Sequence, residues 1–331
     1  MEFVKNQERF KTSSEKVQIS SQTSNQTIKK KKKFVNDKVA TCFFNSKLLL
    51  LNNETSLALN LLRYSSNCDS YNGYVLDALN EALRKLGKFD ESEKVAQKNF
   101  LYNYSIDRCF ELAQIYFLKN QDEEALKLYF DCLSHVVENQ SQLFEIYKNV
   151  GNIYVKLKEF DLAEEYFYKA YQMDMNSDLL IVNIGVLEFQ KEDIQKATDC
   201  FRRAIEINKN NDKAWVGLAM THLEFGDKEL CWGNLIKALD VNPVNKTALI
   251  LLSQLFNQSE RNQQCKKLLI EYLEHHNFDE EISLLLIQNL IFAGDYQNAF
   301  LECFKSHLWN PENKEIASVY VELNKLMVGG K

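Results

Sequence analysis

Two stretches of the chain repeat one another at an interval of 34 residues. Residues 147–170 read YKNVGNIYVKLKEFDLAEEYFYKA, and residues 181–204 read IVNIGVLEFQKEDIQKATDCFRRA. The aligned stretches share glycine at 151 and 185, alanine at 163 and 197, phenylalanine at 167 and 201, and alanine at 170 and 204. A fixed interval of this length is the sequence signature of stacked helical repeats, so it predicts the fold class before any local structure is assigned.

The order of small and aromatic residues within one unit resembles the tetratricopeptide repeat, whose pattern is W-x₂-L-G-x₂-Y followed by A-x₃-F. The positions that carry the resemblance are Tyr147, Val150, Gly151, Tyr154, Ala163, Phe167 and Ala170. It implies an all-α, right-handed superhelical solenoid of about eight helix-turn-helix units. We predict units at 39–72, 73–105, 106–143, 144–177, 178–211, 212–245, 246–279 and 280–313, and a capping helix with a short tail at 314–331.

Composition independently favours helices. The 331 residues include 10 glycines and 2 prolines, whereas 45% of the residues are hydrophobic and 26% are charged. All-β sandwiches and barrels need frequent turns rich in glycine and proline, which this chain cannot supply. Glycine or asparagine recurs at the fifteenth place of several units, between the two helices. At this place we predict a residue in the left-handed conformation. These residues are Asn53, Gly87, Asn120, Gly226 and Gly294.

One unit departs from the 34-residue period. Gly151 lies 38 residues after Ala113, so the unit at 106–143 holds four additional residues around 135–142. We predict that they lengthen its second helix or the loop that follows.

The first 38 residues differ in charge from the rest of the chain. They hold ten Lys and Arg residues and four Asp and Glu residues, a net charge of +6; since the whole chain carries −6, the remainder carries −12. With few apolar residues to bury, 1–38 is predicted to be a disordered basic tail. The run from Lys29 to Lys33 fits a nuclear-import or nucleic-acid-binding patch, a solvated tail, or a segment that folds back onto the acidic body.

The sequence predicts a cytoplasmic protein without membrane insertion, or a nuclear one if the lysine run is an import signal. No apolar segment follows the charged N-terminal residues, and the apolar stretch at 248–256 is far shorter than the ~18 residues of a membrane span. The eight cysteines form no C-x-x-C pair, which is typical of reduced thiols.

No catalytic, cofactor or metal site is predicted. The five histidines form no H-E-x-x-H motif and no Cys/His pattern with zinc spacing, and no glycine-rich phosphate loop is present. His222 occupies the place that Tyr154 holds in the unit at 144–177, so we expect it to pack as well. Several cysteines fall at core places of the repeat. We therefore predict that the protein is not an enzyme and needs no cofactor.

The resemblance implies that six places of each first helix line a concave groove. In the C-terminal half these places hold a series of apolar residues, which suggests a groove for an extended or helical peptide. The alternative is that some of them pack against neighbouring helices. The candidates are Val182, Val186, Phe189, Val216, Met220, Leu223 and Ile250, continued by Leu284, Ile291 and Phe292.

A second pattern resembles the dicarboxylate clamp by which some tetratricopeptide domains hold the acidic C-terminus of a chaperone. Four of its five places are matched, and the fifth, which is normally arginine, is Gly217. Charged and neutral donors aimed at one point suit two carboxylates. The matched residues are Lys148, Asn152, Asn183 and Lys213.

These features together predict a protein-binding adaptor or scaffold. The alternatives are a regulatory or substrate-recruiting subunit for a separate enzyme, such as a glycosyltransferase or kinase, a sensor of signal peptides, and a co-chaperone that binds a chaperone tail. Nucleic acid is an unfavourable partner because the body is acidic, and phosphate binding needs positive potential. The sequence leaves the oligomeric state open.

Overall fold

The computed structural model describes residues 34–135, 139–256, 260–276 and 278–328. Over these residues the chain forms 17 α-helices and no β-strand, which confirms the all-α prediction. Consecutive helices pack as pairs. The pairs are α1 (Asp37–Leu51) with α2 (Thr55–Cys68), α3 (Gly73–Lys85) with α4 (Phe89–Tyr102), α5 (Ile106–Leu118) with α6 (Asp122–Ser134), α7 (Gln140–Lys156) with α8 (Phe160–Met173), α9 (Asp178–Gln190) with α10 (Ile194–Ile207), α11 (Asp212–Glu224) with α12 (Lys228–Val241), α13 (Lys246–Phe256) with α14 (Asn262–His275), and α15 (Glu280–Phe292) with α16 (Tyr296–Trp309), followed by α17 (Lys314–Val328).

The chain divides into two compact units, Met1–Tyr102 and Asn103–Lys331. In the first, the core lies between α1, α2 and α3 and includes Phe34, which is 9% exposed. Most of the predicted tail, residues 1–33, lies outside the described residues. Its last residues belong to the folded unit, because Phe34 is buried and α1 begins at Asp37.

In the second unit, the small residues of the repeat allow close helix packing. A Cβ atom at Gly151 would lie 2.5 Å from two ring carbons of Phe167, which α8 presents to α7. Phe201 of α10 lies against two glycines in the same way, Gly185 of α9 and Gly217 of α11. Each phenylalanine therefore fills space that the missing side chains leave open.

In seven of the helix pairs, the turn between the two helices contains a left-handed residue. The five predicted residues at the fifteenth place all have positive φ, from 56° at Asn120 to 77° at Gly226. Lys158 and Glu192 stand at the same place of their units and also have positive φ, 60° and 64°. Neither residue type favours this conformation, so the fold imposes it on them.

Periodic N-caps mark the first helices. Side-chain oxygens of Ser177, Asn211 and Asp279 accept hydrogen bonds from backbone N–H groups in the first turns of α9, α11 and α15. The corresponding cap of α7 is Asn139, 38 residues before Ser177. The prediction for the four additional residues is therefore wrong: α6 has 13 residues and is not lengthened, whereas α7 begins one turn early and has 17.

The last helix, α17, packs on α16. Ile316 and Leu323 are buried in the core of the second unit, and the ring of Tyr320 stacks 5.4 Å from that of Phe300.

Candidate protein-binding surface

The first helices of the second unit form a row in which α7, α9 and α11 contact one another in turn. Equivalent places of α9 and α11 therefore lie side by side. Val186 and Phe189 occupy the ninth and twelfth places of α9, and Met220 and Leu223 occupy the same places of α11. We call these four residues the first-helix stripe.

The stripe is partly accessible. Val186 is 38% exposed, and Phe189, Met220 and Leu223 are half-buried. Further predicted groove residues continue on α13 and α15. Ile250, Leu284 and Ile291 are half-buried, and Phe292 is exposed. These apolar side chains retain surface that a partner can cover.

Two predicted groove residues do not contribute such surface. Val182 is 4% exposed and packs in the core around Phe201, and Val216 is 6% exposed and packs in the core of the following pairs. Both residues therefore pack against neighbouring helices, which is the alternative to lining the groove. The fifth place of α9 and α11 turns towards the neighbouring helices, so the groove residues of these two helices come from the ninth and twelfth places.

The residues of the clamp pattern lie in unlike environments. The Lys148 side chain is 11% exposed, and its Nζ lies 2.5 Å from Glu145 Oε1 and 5.6 Å from the centre of the Phe144 ring. Asn152 and Asn183 are half-buried, and Lys213 is exposed. Because Glu145 already neutralises Lys148, a bound carboxylate would have to displace an internal partner.

The fifth clamp place cannot hold an arginine in this packing. Gly217 is buried, and a Cβ atom there would lie 2.6 Å from both Cδ1 and Cζ of Phe201. Phe201 is 2% exposed and is held on its other side by Gly185. The departure from the clamp pattern thus has a steric cause.

The structure contains a second concave surface, which was not predicted from the sequence. A cleft of about 750 Å³ opens between the second helices α8 and α10, with α9 as its floor. We call it the second-helix cleft. Its carboxylates come from three helices, α8, α9 and α10. The sequence could have indicated that they lie in one cleft only if these helices were aligned by their places in the repeat. The carboxylates are Asp161, Glu164, Glu165, Glu188 and Asp199.

The cleft and the stripe lie on opposite sides of α9. Ile184 and Glu188 line the cleft and are four residues apart, so they share one helical face. Val186 lies midway between them in sequence and points about 200° away at 100° per residue. The two surfaces can therefore be altered separately.

Burial affects the acid–base properties of two thiols and one histidine. Burial raises the pKa of the Cys265 and Cys303 thiols to about 11, which opposes the thiolate form that a nucleophile needs. His222 is 9% exposed, as expected for a packed residue, and burial followed by the charge of Arg202 lowers its pKa. Within the described ranges, no group of three or more His, Cys, Asp and Glu side chains could hold a metal ion. In the same ranges, every helix is too short or too polar to span a bilayer.

Comparison with known proteins agrees with the repeat pattern. Residues 144–176 and 180–211 match the family model of the tetratricopeptide repeat. No curated protein sequence matches the chain.

Several solved structures have a similar fold. PilW, a type IV pilus biogenesis factor, superposes with a TM-score of 0.56 at 11% identity, over 66% of this chain and 99% of its own. A tetratricopeptide repeat protein from Parabacteroides merdae gives 0.54 at 15% identity, over 87% and 99%. Human IFIT1, solved as a dimer with m7Gppp-AAAA, gives 0.54 at 16% identity, over 83% and 72%. At these identities the similarity concerns the fold alone.

Proposed function

We propose that this chain, in which two repeats match the tetratricopeptide family model, is a non-enzymatic adaptor that binds a protein or peptide partner on its first helices. The observation that carries the proposal is the first-helix stripe. Four large apolar side chains on two adjacent helices keep accessible surface after the core has been filled. Burying apolar surface contributes about 25 cal/mol per Å², so such a stripe favours an amphipathic or extended segment with apolar side chains.

The chemistry of the surroundings supports a protein partner over nucleic acid. Residues 39–331 carry a net charge of −12, which repels a phosphate backbone. We place the adaptor in the cytoplasm; the lysine run that would direct it to the nucleus lies outside the described residues. The same adaptor could regulate a separate enzyme or recruit its substrate, and the identity of the bound partner decides whether it does.

The test is partner capture by purified full-length protein carrying Val186→Glu or Met220→Glu, followed by mass spectrometry. Each change puts a charge into the stripe, and desolvating that charge on binding is costly. We expect both variants to lose the proteins that the wild type retains. Thermal denaturation shows whether the variants fold.

Ile270→Glu is the matched control. Ile270 is 38% exposed, the same as Val186, but it lies on the second helix α14. We expect this variant to retain the wild-type partners. Wild-type capture by Val186→Glu and Met220→Glu would remove the stripe as the binding surface, and equal loss in all three variants would show a general effect of added charge.

A further inference from the structure

The second-helix cleft combines an apolar floor with an acidic rim. Ile184 and Leu187 of α9, together with Phe167 of α8, form its base. Tyr168 and Tyr171 of α8 line one wall, and Tyr168 is 64% exposed. With a volume of about 750 Å³, the cleft has room for several side chains of a peptide.

Carboxylates outnumber cations around this floor. Five Asp and Glu residues line the cleft against one arginine, Arg203. The Arg203 guanidinium donates a hydrogen bond of 3.2 Å to the Met175 carbonyl oxygen and lies 5.5 Å from the centre of the Tyr171 ring. Two lysines add to the rim: Lys191 pairs with Glu164, and Lys169 lies 2.6 Å from Glu165. The carboxylates remain in excess when both lysines are counted.

The next junction of the array does not share this acidity. Each repeat supplies equivalent places, so the next junction serves as an internal comparison. The five carboxylates of the cleft correspond, 34 residues further along, to a set with a single carboxylate. That set is Gln195, Thr198, Asp199, His222 and Gly233. Helix stacking alone therefore does not require negative charge at these places.

One carboxylate of the cleft has an unsatisfied oxygen. Glu188 is 12% exposed, and among the described residues its buried Oε2 has no hydrogen-bond partner, while Oε1 lies 3.9 Å from Lys191 Nζ. A buried acceptor without a donor costs about 1–3 kcal/mol, and more when it is charged. The neighbouring Cys200 thiol is affected by the same negative charge. Its pKa is raised to about 11, mainly by burial and then by the charges of Glu188 and Asp199. Glu188 therefore places negative charge beside the floor of the cleft, where it attracts a cationic side chain.

We propose that the second-helix cleft binds a basic segment of a partner protein, with one large apolar side chain on the floor and flanking Lys or Arg side chains paired with Glu188 and the rim carboxylates. Charge complementarity identifies the occupant. The exposed Tyr168 ring adds a face on which a cation can lie. This surface is separate from the first-helix stripe and does not depend on the function proposed for it.

The test uses a fluorescent pentapeptide with two lysines on each side of a leucine and with both termini blocked. Its binding to the full-length protein is followed by fluorescence anisotropy at low and high salt. We expect binding that weakens as salt increases, because exposed charge pairs are screened. Glutamates in place of the lysines should abolish binding, and glycine in place of the leucine should weaken it.

The decisive variant is the double change Asp161→Asn with Glu188→Gln, which keeps the shape of both side chains and removes two charges. We expect it to weaken binding of the lysine peptide at least tenfold. The matched control is Glu274→Gln, which removes one exposed carboxylate on α14 and should change affinity less than twofold. Val186→Glu and Met220→Glu should also leave this affinity unchanged, so failure of one surface is distinguishable from failure of the other.

Two results would overturn the proposal. A loss of binding free energy in the double variant no larger than twice that in Glu274→Gln would show that the peptide is held by the overall negative charge. Replacing Lys29 to Lys33 by serine in the full chain should have no effect; a clear gain in affinity would assign the cleft to the chain's own basic tail.

Discussion

Gly217→Ala tests the packing that separates this chain from the clamp pattern. The new methyl group would lie 2.6 Å from Cδ1 and Cζ of Phe201, about 0.9–1.4 Å inside the normal carbon contact of about 3.5–4.0 Å. The Phe201 ring cannot move away, because it is 2% exposed and already lies against Gly185. Gly217 sits inside α11, so the substitution both overpacks the core and improves helix propensity.

The two effects oppose each other. Overpacking a core by one methyl group costs about 1–3 kcal/mol, while replacing glycine by alanine inside a helix gains about 1 kcal/mol. We expect a net loss of up to about 2 kcal/mol of unfolding free energy. The control is Gly233→Ala in α12, where nothing lies within 4 Å of the new Cβ and only the gain of about 1 kcal/mol applies.

The assay is thermal and urea denaturation followed by circular dichroism at 222 nm. In a domain of 150–250 residues, 1 kcal/mol corresponds to about 2–4 °C in Tm, so the two variants should move Tm in opposite directions. A double-mutant cycle with Phe201→Leu should recover part of the loss, because the smaller side chain leaves room for the methyl group. A rise in Tm for Gly217→Ala similar to that for Gly233→Ala would refute the packing argument.

Two further predictions concern the turns and the clamp. Glu192→Gly should raise the unfolding free energy by about 0.5–1 kcal/mol in the same denaturation assay, because Glu192 has a φ of 64° that glycine adopts without strain. Gly87→Ala should lower the unfolding free energy by a similar amount. Destabilisation by Glu192→Gly would mean that the Glu192 side chain contributes more stability than the backbone strain costs. The double change Lys148→Ala with Lys213→Ala should alter the affinity for acidic peptides equally whether their C-terminus is free or amidated, because Lys148 is neutralised by Glu145. Calorimetry measures both affinities. A selective loss for the free C-terminus would show that the two lysines act as a carboxylate clamp.

The interval of 34 residues determined most of the fold. It predicted helix pairs and a left-handed residue at the fifteenth place wherever glycine or asparagine stands there. These features are legible because each depends on residue size or backbone freedom at a fixed distance along the chain. Nothing in the types of Lys158 and Glu192 indicates that they adopt the same conformation; the packing of their helix pairs imposes it.

Only the tertiary structure decided which surfaces are available for binding. Val182 and Val186 are equally apolar and four residues apart, yet the first is buried by a neighbouring helix and the second is exposed, because accessibility depends on what packs across the repeat. The second-helix cleft has the same origin. Its carboxylates are spread over residues 161–199, and they share one rim because stacking places α8 and α10 on either side of α9. The periodic sequence specifies how each helix pair is built, whereas the contacts between pairs determine what a partner can reach.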